Sequence, residues 1–184
     1  MNAFKNMNLP NKLTCVRMVM IIPFVACMLA GRAEGPWKWA SLALFIAASL
    51  TDMLDGKIAR AQNLITDFGK FMDPLADKLL VCSALICLSS QQRLSAWITV
   101  IIIAREFIIS GFRLLASDNG VVIAASPWGK AKTVSQIVMI VVLIADLAIP
   151  EIIPQILVWI ATALTVVSLV DYLAKNIKLI SDYK

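Results

Sequence analysis

Six long apolar runs separated by short polar breaks take up almost the whole chain, near 13–30, 37–60, 73–90, 94–117, 133–149 and 152–173. A hydrocarbon core about 30 Å thick is crossed by about 20 helical residues, so each run predicts one membrane-spanning helix. The pattern therefore predicts an all-α, polytopic membrane protein of six transmembrane helices, with residues 1–184 forming a single membrane domain. The first run follows Lys5 and Lys12 as a signal peptide would, but it is too long for a typical h-region and Arg17 interrupts its start. It is expected to be a retained helix.

Composition agrees with the pattern. The 184 residues are 60% hydrophobic and 16% charged, which is more apolar surface than one soluble core of this size hides. Basic residues then set the orientation. With the N-terminus in the cytoplasm, that side carries Lys5, Lys12, Arg17, Lys57, Arg60, Lys70, Lys78, Arg105, Arg113, Lys130, Lys132, Lys175, Lys178 and Lys184. Only Arg32, Lys38 and Arg93 face away, fourteen against three, so both termini are expected to be cytoplasmic. The formal charge of +5 gathers where anionic lipid head groups and anionic substrates would be attracted, and no nucleic-acid partner is expected. Cys15, Cys27, Cys82 and Cys87 lie in apolar runs without the spacing of a thiolate metal site. The absence of histidine removes histidine general bases and the usual zinc ligands. Chemistry must then run on carboxylates, lysines, arginines and hydroxyls.

The exception to the greasy pattern is 49–80, SLTDMLDGKIARAQNLITDFGKFMDPLADKLL. From Trp39 to Thr51 about 13 uncharged residues precede Asp52, roughly 20 Å of helix, so Asp52 falls within the membrane's thickness. After Asp77 only 79–90 is free of charge. Two neighbouring helices that turn polar inside a bilayer require a shared water-filled cavity, here open to the cytoplasm. Asp52 and Asp55 are three apart and Asp73 and Asp77 four apart, so each pair shares a helix face, with Gly56 and Ala59 continuing the first stripe. Pro74 is expected in the first turn of the third helix with Asp73 as its N-cap, and Gly69 permits a close approach. Ionised carboxylates repel by about 4 kcal/mol per pair at 4 Å and an effective dielectric near 20. An all-oxygen donor set favours Mg²⁺ or Mn²⁺, two of them bridged by shared carboxylates. A lone Asp is commonly a helix cap or an interhelical hydrogen-bonding residue. Either role explains one position, not four at helical spacing beside Gly56, Ala59, Arg60 and Gly69.

Read continuously, 52–77 is D-x2-D-G-x2-A-R-x8-G-x3-D-x3-D, which resembles the signature of the CDP-alcohol phosphotransferases. The resemblance implies six transmembrane helices, a homodimer and a binuclear metal site facing the cytoplasm of a bacterial cell. It makes Asp52, Asp55 and Asp73 metal ligands, with Asp77 completing the site and acting as general base. Gly56 and Ala59 would leave room for the cytidine nucleotide of CDP-diacylglycerol, and Arg60 would contact its phosphates. The segment LPNKLTCVR resembles the family's approach to helix one and places Asn11, Thr14 and Arg17 near the nucleotide.

IIIAREFIISGFRLLASDNG, followed by SPWGKAKTVSQ, resembles the phosphatidylglycerophosphate synthase branch, which implies glycerol 3-phosphate as acceptor. The same residues make physical sense as a phosphate site. Arg105 and Glu106 lie about ten residues into the fourth run, Glu106 and Arg113 are seven apart on one stripe, and Lys130, Lys132 and Thr133 stand at the mouth of the fifth. Fixed cations are what a small phosphorylated alcohol needs. A plainer reading makes Lys130 and Lys132 topological anchors and Arg105 a structural ion-pair partner of Glu106 or of an Asp of the site. Inositol phosphate, serine or phosphatidylglycerol as acceptor stays open on the opening motif alone. A divalent-cation transporter would place acids along both halves of a pathway, whereas the far side offers only Glu34, Asp146 and Glu151.

Overall fold

The computed structural model describes the backbone of residues 9–30, 35–61, 67–118 and 126–176, and their side chains except at 9–11, 13, 52–61, 67–74, 77, 117 and 118. All regular structure among the described residues is helical: α1 (Leu9–Ala30), α2 (Gly35–Ala61), α3 (Asp67–Ser90), α4 (Ala96–Asp118), α5 (Pro127–Ala145) and α6 (Ile152–Asn176). Each apolar run has become one helix, and the helices fall into two compact units, Met1–Gln91 and Gln92–Lys184. Among the described residues α5 and α6 are long and apolar enough to cross a membrane, while α1 and α3 contribute shorter apolar stretches, Thr14–Ala30 and Lys78–Ser90.

In the first unit α1 packs on both α2 and α3. Buried positions Thr14, Arg17, Ile21, Phe24 and Met28 form one stripe of α1, spaced at the three- and four-residue steps of a helix face. Phe24 meets Phe45 of α2 with ring centroids 5.8 Å apart, and fully buried Ala76 and Ala84 let the backbone of α3 come close. Gly35 opens α2 at φ +60, a left-handed conformation that glycine adopts without penalty. The Gln91 side-chain amide donates to the Met28 carbonyl at 2.7 Å, joining the C-terminal ends of α1 and α3.

In the second unit α6 packs against both α4 and α5. The core is Ile102 and Ile109 of α4, Met139, Ile140 and Ile144 of α5, and Ala161 of α6. Ser126 caps α5 by accepting from the Gly129 amide at 3.1 Å, and Pro127 takes the first helical position, where its missing N–H leaves no gap. The other end closes on Asp146, left-handed at φ 41, whose N–H donates to the Val142 carbonyl. Arg93 reaches the same end, donating to the Leu143 carbonyl at 3.0 Å and to Asp146 Oδ2 at 2.5 Å. A guanidinium is well suited to a helix C-terminus, where carbonyls lack intrahelical donors.

Expected boundaries move in α3 and in α5. Helix α3 starts at Asp67, so Asp73 is not an N-cap and Pro74 lies inside the helix. Proline's fixed φ is helical, so the helix runs through it with the loss of one ladder hydrogen bond. Helix α5 starts at Pro127 and ends at Ala145 rather than covering 133–149, because the Ser126–Pro127 pair is a complete helix start and Asp146 a complete stop. Lys130 and Lys132 therefore stand within the first turns of α5.

Loss of the Ser126 cap should be visible as stability. Ser126→Ala is expected to cost about 1 kcal/mol and to lower the thermal midpoint in detergent, with Ser126→Asp close to the parent. An unchanged midpoint in the alanine variant would show that the cap contributes nothing.

Candidate functional site

The backbone sets Asp52 and Asp55 with Gly56, Ala59 and Arg60 on α2, and Asp73 and Asp77 on α3. These two helices pack against each other within the first unit. The side chains of all seven, and that of Asn11 on α1, lie outside the described residues. The two remaining nucleotide-site candidates are described. Thr14 is fully buried and Arg17 is 1% exposed, both on the inward stripe of α1. A guanidinium withdrawn that far from solvent is tolerable only among polar or anionic groups.

The second unit holds a charge cluster with measurable geometry. Arg105 and Glu106 of α4 and Lys132 of α5 converge on one carboxylate oxygen: Arg105 Nη1 donates to Glu106 Oε1 at 3.1 Å, and Lys132 Nζ donates to the same oxygen. Arg105 is 8% exposed and Lys132 2% exposed. A third helix fixes the guanidinium, since Arg105 Nε donates to Ser168 Oγ of α6 at 3.0 Å. The Ser168 hydroxyl in turn donates a hydrogen bond to the Thr165 carbonyl at 3.1 Å. Gly129 matters at this point: a Cβ there would sit 3.6 Å from Arg105 Nη2 and 3.5 Å from Ser126 Oγ. A methyl would fit in ordinary contact, but anything larger would displace the guanidinium from the first turn of α5. That turn presents backbone N–H groups and the positive end of a helix dipole.

Not every expected member joins. Lys130 is exposed, because residues two apart on a helix point in opposed directions and Lys132 takes the inward one. Arg113 is also exposed, at the end of α4 that carries Glu106's stripe onward, and its charge acts on the Tyr172 phenol of α6. The anchoring explanation therefore suits Lys130 and not Lys132, whose amine is buried and paired. The ion-pair explanation of Arg105 is correct for Glu106. Ser126, Gly129, Ser168 and Tyr172 went unnoticed in the sequence. Thr165, Ser168 and Tyr172 are a buried polar stripe at helical spacing in an otherwise apolar run, a signal that was present.

Comparison with known proteins finds matches over most of the chain. The family profile described as CDP-alcohol phosphatidyltransferase matches residues 7–167. The chain is similar to the CDP-diacylglycerol--glycerol-3-phosphate 3-phosphatidyltransferase of Bacillus subtilis, 41% identical over 92% of this chain and 95% of that protein. Proteins of that name from Rickettsia typhi and Haemophilus influenzae are each 37% identical over 90% of this chain and cover 94% and 91% of their own lengths.

The charge cluster gives a test independent of activity. Removing the shared carboxylate in Glu106→Gln leaves two buried cations side by side and should destabilise the protein by about 3 kcal/mol. Adding Lys132→Met to that variant should recover much of the loss, because the surviving Arg105 retains Ser168. Thermal unfolding of the two variants in detergent checks both statements, and additive losses would show that the pair does not interact.

Proposed function

The chain belongs to the CDP-alcohol phosphatidyltransferase family, and on that premise we propose that it moves the phosphatidyl group of CDP-diacylglycerol to sn-glycerol 3-phosphate, giving phosphatidylglycerol phosphate and CMP. The observation that carries the acceptor is the buried Arg105–Glu106–Lys132 cluster at the first turn of α5. Its fixed cations and helix N-terminus suit a phosphate monoester. Relatives named for this activity cover nine-tenths of the chain.

The roles are those that the family resemblance implies, and the residue types suit them. Asp52, Asp55, Asp73 and Asp77 supply only carboxylate oxygens, a donor set that fits Mg²⁺ or Mn²⁺, two per subunit. Bound there, a divalent ion neutralises the pyrophosphate and the charge left on departing CMP. Asp77 takes the proton of the attacking primary hydroxyl as that oxygen displaces CMP at the phosphorus bearing the diacylglycerol. Gly56 and Ala59 leave space for the cytidine, Arg60 holds its phosphates, and Asn11, Thr14 and Arg17 complete the nucleotide pocket. Arg105 and Lys132 bind the acceptor's phosphate, with Arg113 and Lys130 raising its local concentration from more exposed positions.

The setting is the bacterial cytoplasmic membrane, crossed six times with both termini and the site on the cytoplasmic side. Exposed apolar side chains support this, Val19, Ile22, Trp97, Val134 and Trp159 among them, since such surfaces suit hydrocarbon. Charge distribution within the second unit agrees, because the end of the bundle opposite Arg93 and Asp146 collects Arg113, Lys130 and Lys175. The family match extends across both units, in keeping with one functional domain over 1–184. The working assembly is a homodimer within membrane lipid.

Purified protein given CDP-diacylglycerol and a panel of radiolabelled alcohols should convert glycerol 3-phosphate alone; preference for serine or inositol phosphate would reassign the acceptor. Chelation with EDTA should abolish turnover and Mg²⁺ or Mn²⁺ restore it, and full activity in a metal-free preparation would overturn the carboxylate assignment. Asp52→Asn and Asp73→Asn should each reduce the rate by about 10³-fold. Asp77→Asn should reduce it by about 10² to 10⁴-fold with CDP-diacylglycerol affinity nearly intact.

Lys132→Gln should raise the Michaelis constant for glycerol 3-phosphate by about 10- to 150-fold, the range of one lost charge-assisted hydrogen bond. The constant for CDP-diacylglycerol should barely move. A variant with normal acceptor kinetics and reduced membrane insertion would make Lys132 a structural residue only.

A further inference from the structure

Helix α5 carries a polar side chain for which the reaction so far has no use. Gln136 is 2% exposed, and neither its side-chain oxygen nor its nitrogen has a hydrogen-bond partner among the described residues. Buried polar atoms are nearly always paired, and an exception needs an explanation such as a ligand. A buried amide that served packing alone would be better replaced by leucine or methionine. Gln136 therefore has an unmet capacity of one acceptor and one donating NH₂ group, held out of water.

Its position says what would meet that capacity. Gln136 follows Lys132 by four residues, both on the buried stripe of α5, so it lies one helical turn, about 5.4 Å, from the phosphate-binding amine toward the core. The threonine and serine hydroxyl hydrogens of α6 are already donated elsewhere. Thr162 donates to the Val158 carbonyl at 2.7 Å, Thr165 to the Ala161 carbonyl at 2.6 Å, and Ser168 to the Thr165 carbonyl at 3.1 Å while it accepts from Arg105. One turn is the reach of a three-carbon alcohol whose phosphate is held at Lys132.

We propose that Gln136 is a specificity-determining residue that hydrogen-bonds the secondary hydroxyl of the acceptor, accepting its proton at Oε1 and donating to its oxygen from Nε2. This rests on the glycerol 3-phosphate reading above and deepens it. The cations hold the phosphate, which any phosphorylated alcohol offers, and Gln136 distinguishes a vicinal diol from a simple alkanol. With the secondary hydroxyl engaged, the primary hydroxyl is the one left to react. A site built to pair a substrate hydroxyl rejects the analogue that lacks it, because its own polar group is then stranded.

The discriminating substrate is 3-hydroxypropyl phosphate, which keeps the phosphate and the primary hydroxyl and lacks only the secondary one. The parent protein should prefer glycerol 3-phosphate over it by about 10- to 100-fold in kcat/KM. Gln136→Leu should bring that ratio close to one, largely through loss of the natural substrate's advantage, with a thermal midpoint equal to or above the parent's. Gln136→Asn should recover part of the discrimination. A leucine variant that retains the parental ratio would overturn the proposal. Equal use of the two acceptors by the parent would overturn it too, without recourse to any variant. Failure of the parent to use either phosphorylated alcohol would overturn the acceptor assignment itself, an outcome distinct from both.

Discussion

One carboxylate oxygen holds the second unit's polar interior together. Glu106 Oε1 accepts from Arg105 and from Lys132, and Arg105 reaches onward to Ser168 on α6 and to Gly129 in the first turn of α5. At an effective dielectric near 20, each contact at about 4 Å is worth about 4 kcal/mol in either sign. Burying the three ions has its own desolvation cost, and the arrangement suffers most when the shared acid is removed and the cations are left without it. Its cations are already fixed and withdrawn from water, the condition under which electrostatic stabilisation is strongest.

Each unit is graded from polar to apolar along its length. On α1 the buried stripe passes from Thr14 and Arg17 to Ile21, Phe24 and Met28. In the second unit Arg105, Lys132 and Ser168 give way to Ile102, Met139, Ile140 and Ala161. A reaction between a lipid-borne nucleotide and a water-soluble phosphate calls for this grading, since one substrate brings its acyl chains and the other its charge. The bilayer sets a condition of its own, because ionisable groups at mid-helix, as Arg105 and Glu106 are on α4, are costly there unless they pair with one another.

Most of the architecture was legible because it depends on long-range composition. Six apolar runs gave six helices, and the acid motif could be placed on two of them by spacing alone. Ends were less legible because short-range cues decide them. Ser126–Pro127 is a complete helix start, yet the polar residues behind it look like a loop when hydropathy is the guide. Pro74 has the opposite effect, suggesting a boundary where the helix continues. The distinction between Lys130 and Lys132 was readable once α5 was known to begin at Pro127, since residues two apart cannot share a face. Ser168, Tyr172 and Gln136 escaped notice for another reason. An isolated hydroxyl or amide inside an apolar run is easily tolerated, and only burial together with its partners separates the working ones from the rest.

The Arg93 contact at the far end of the second unit has a temporal side. Arg93 precedes α4, whereas the Leu143 carbonyl and Asp146 that it grips terminate α5, a separation of 53 residues between Arg93 and Asp146. Chains lengthen at roughly 5 to 20 residues per second, so α4 waits about 3 to 10 s after Arg93 is made before its clasp exists. During that interval α4, with Arg105 and Glu106 on it, lacks both Lys132 and the grip at its own start. A helix carrying charges at mid-length is then at its least secure, because the carboxylate of Glu106 has yet to meet Lys132.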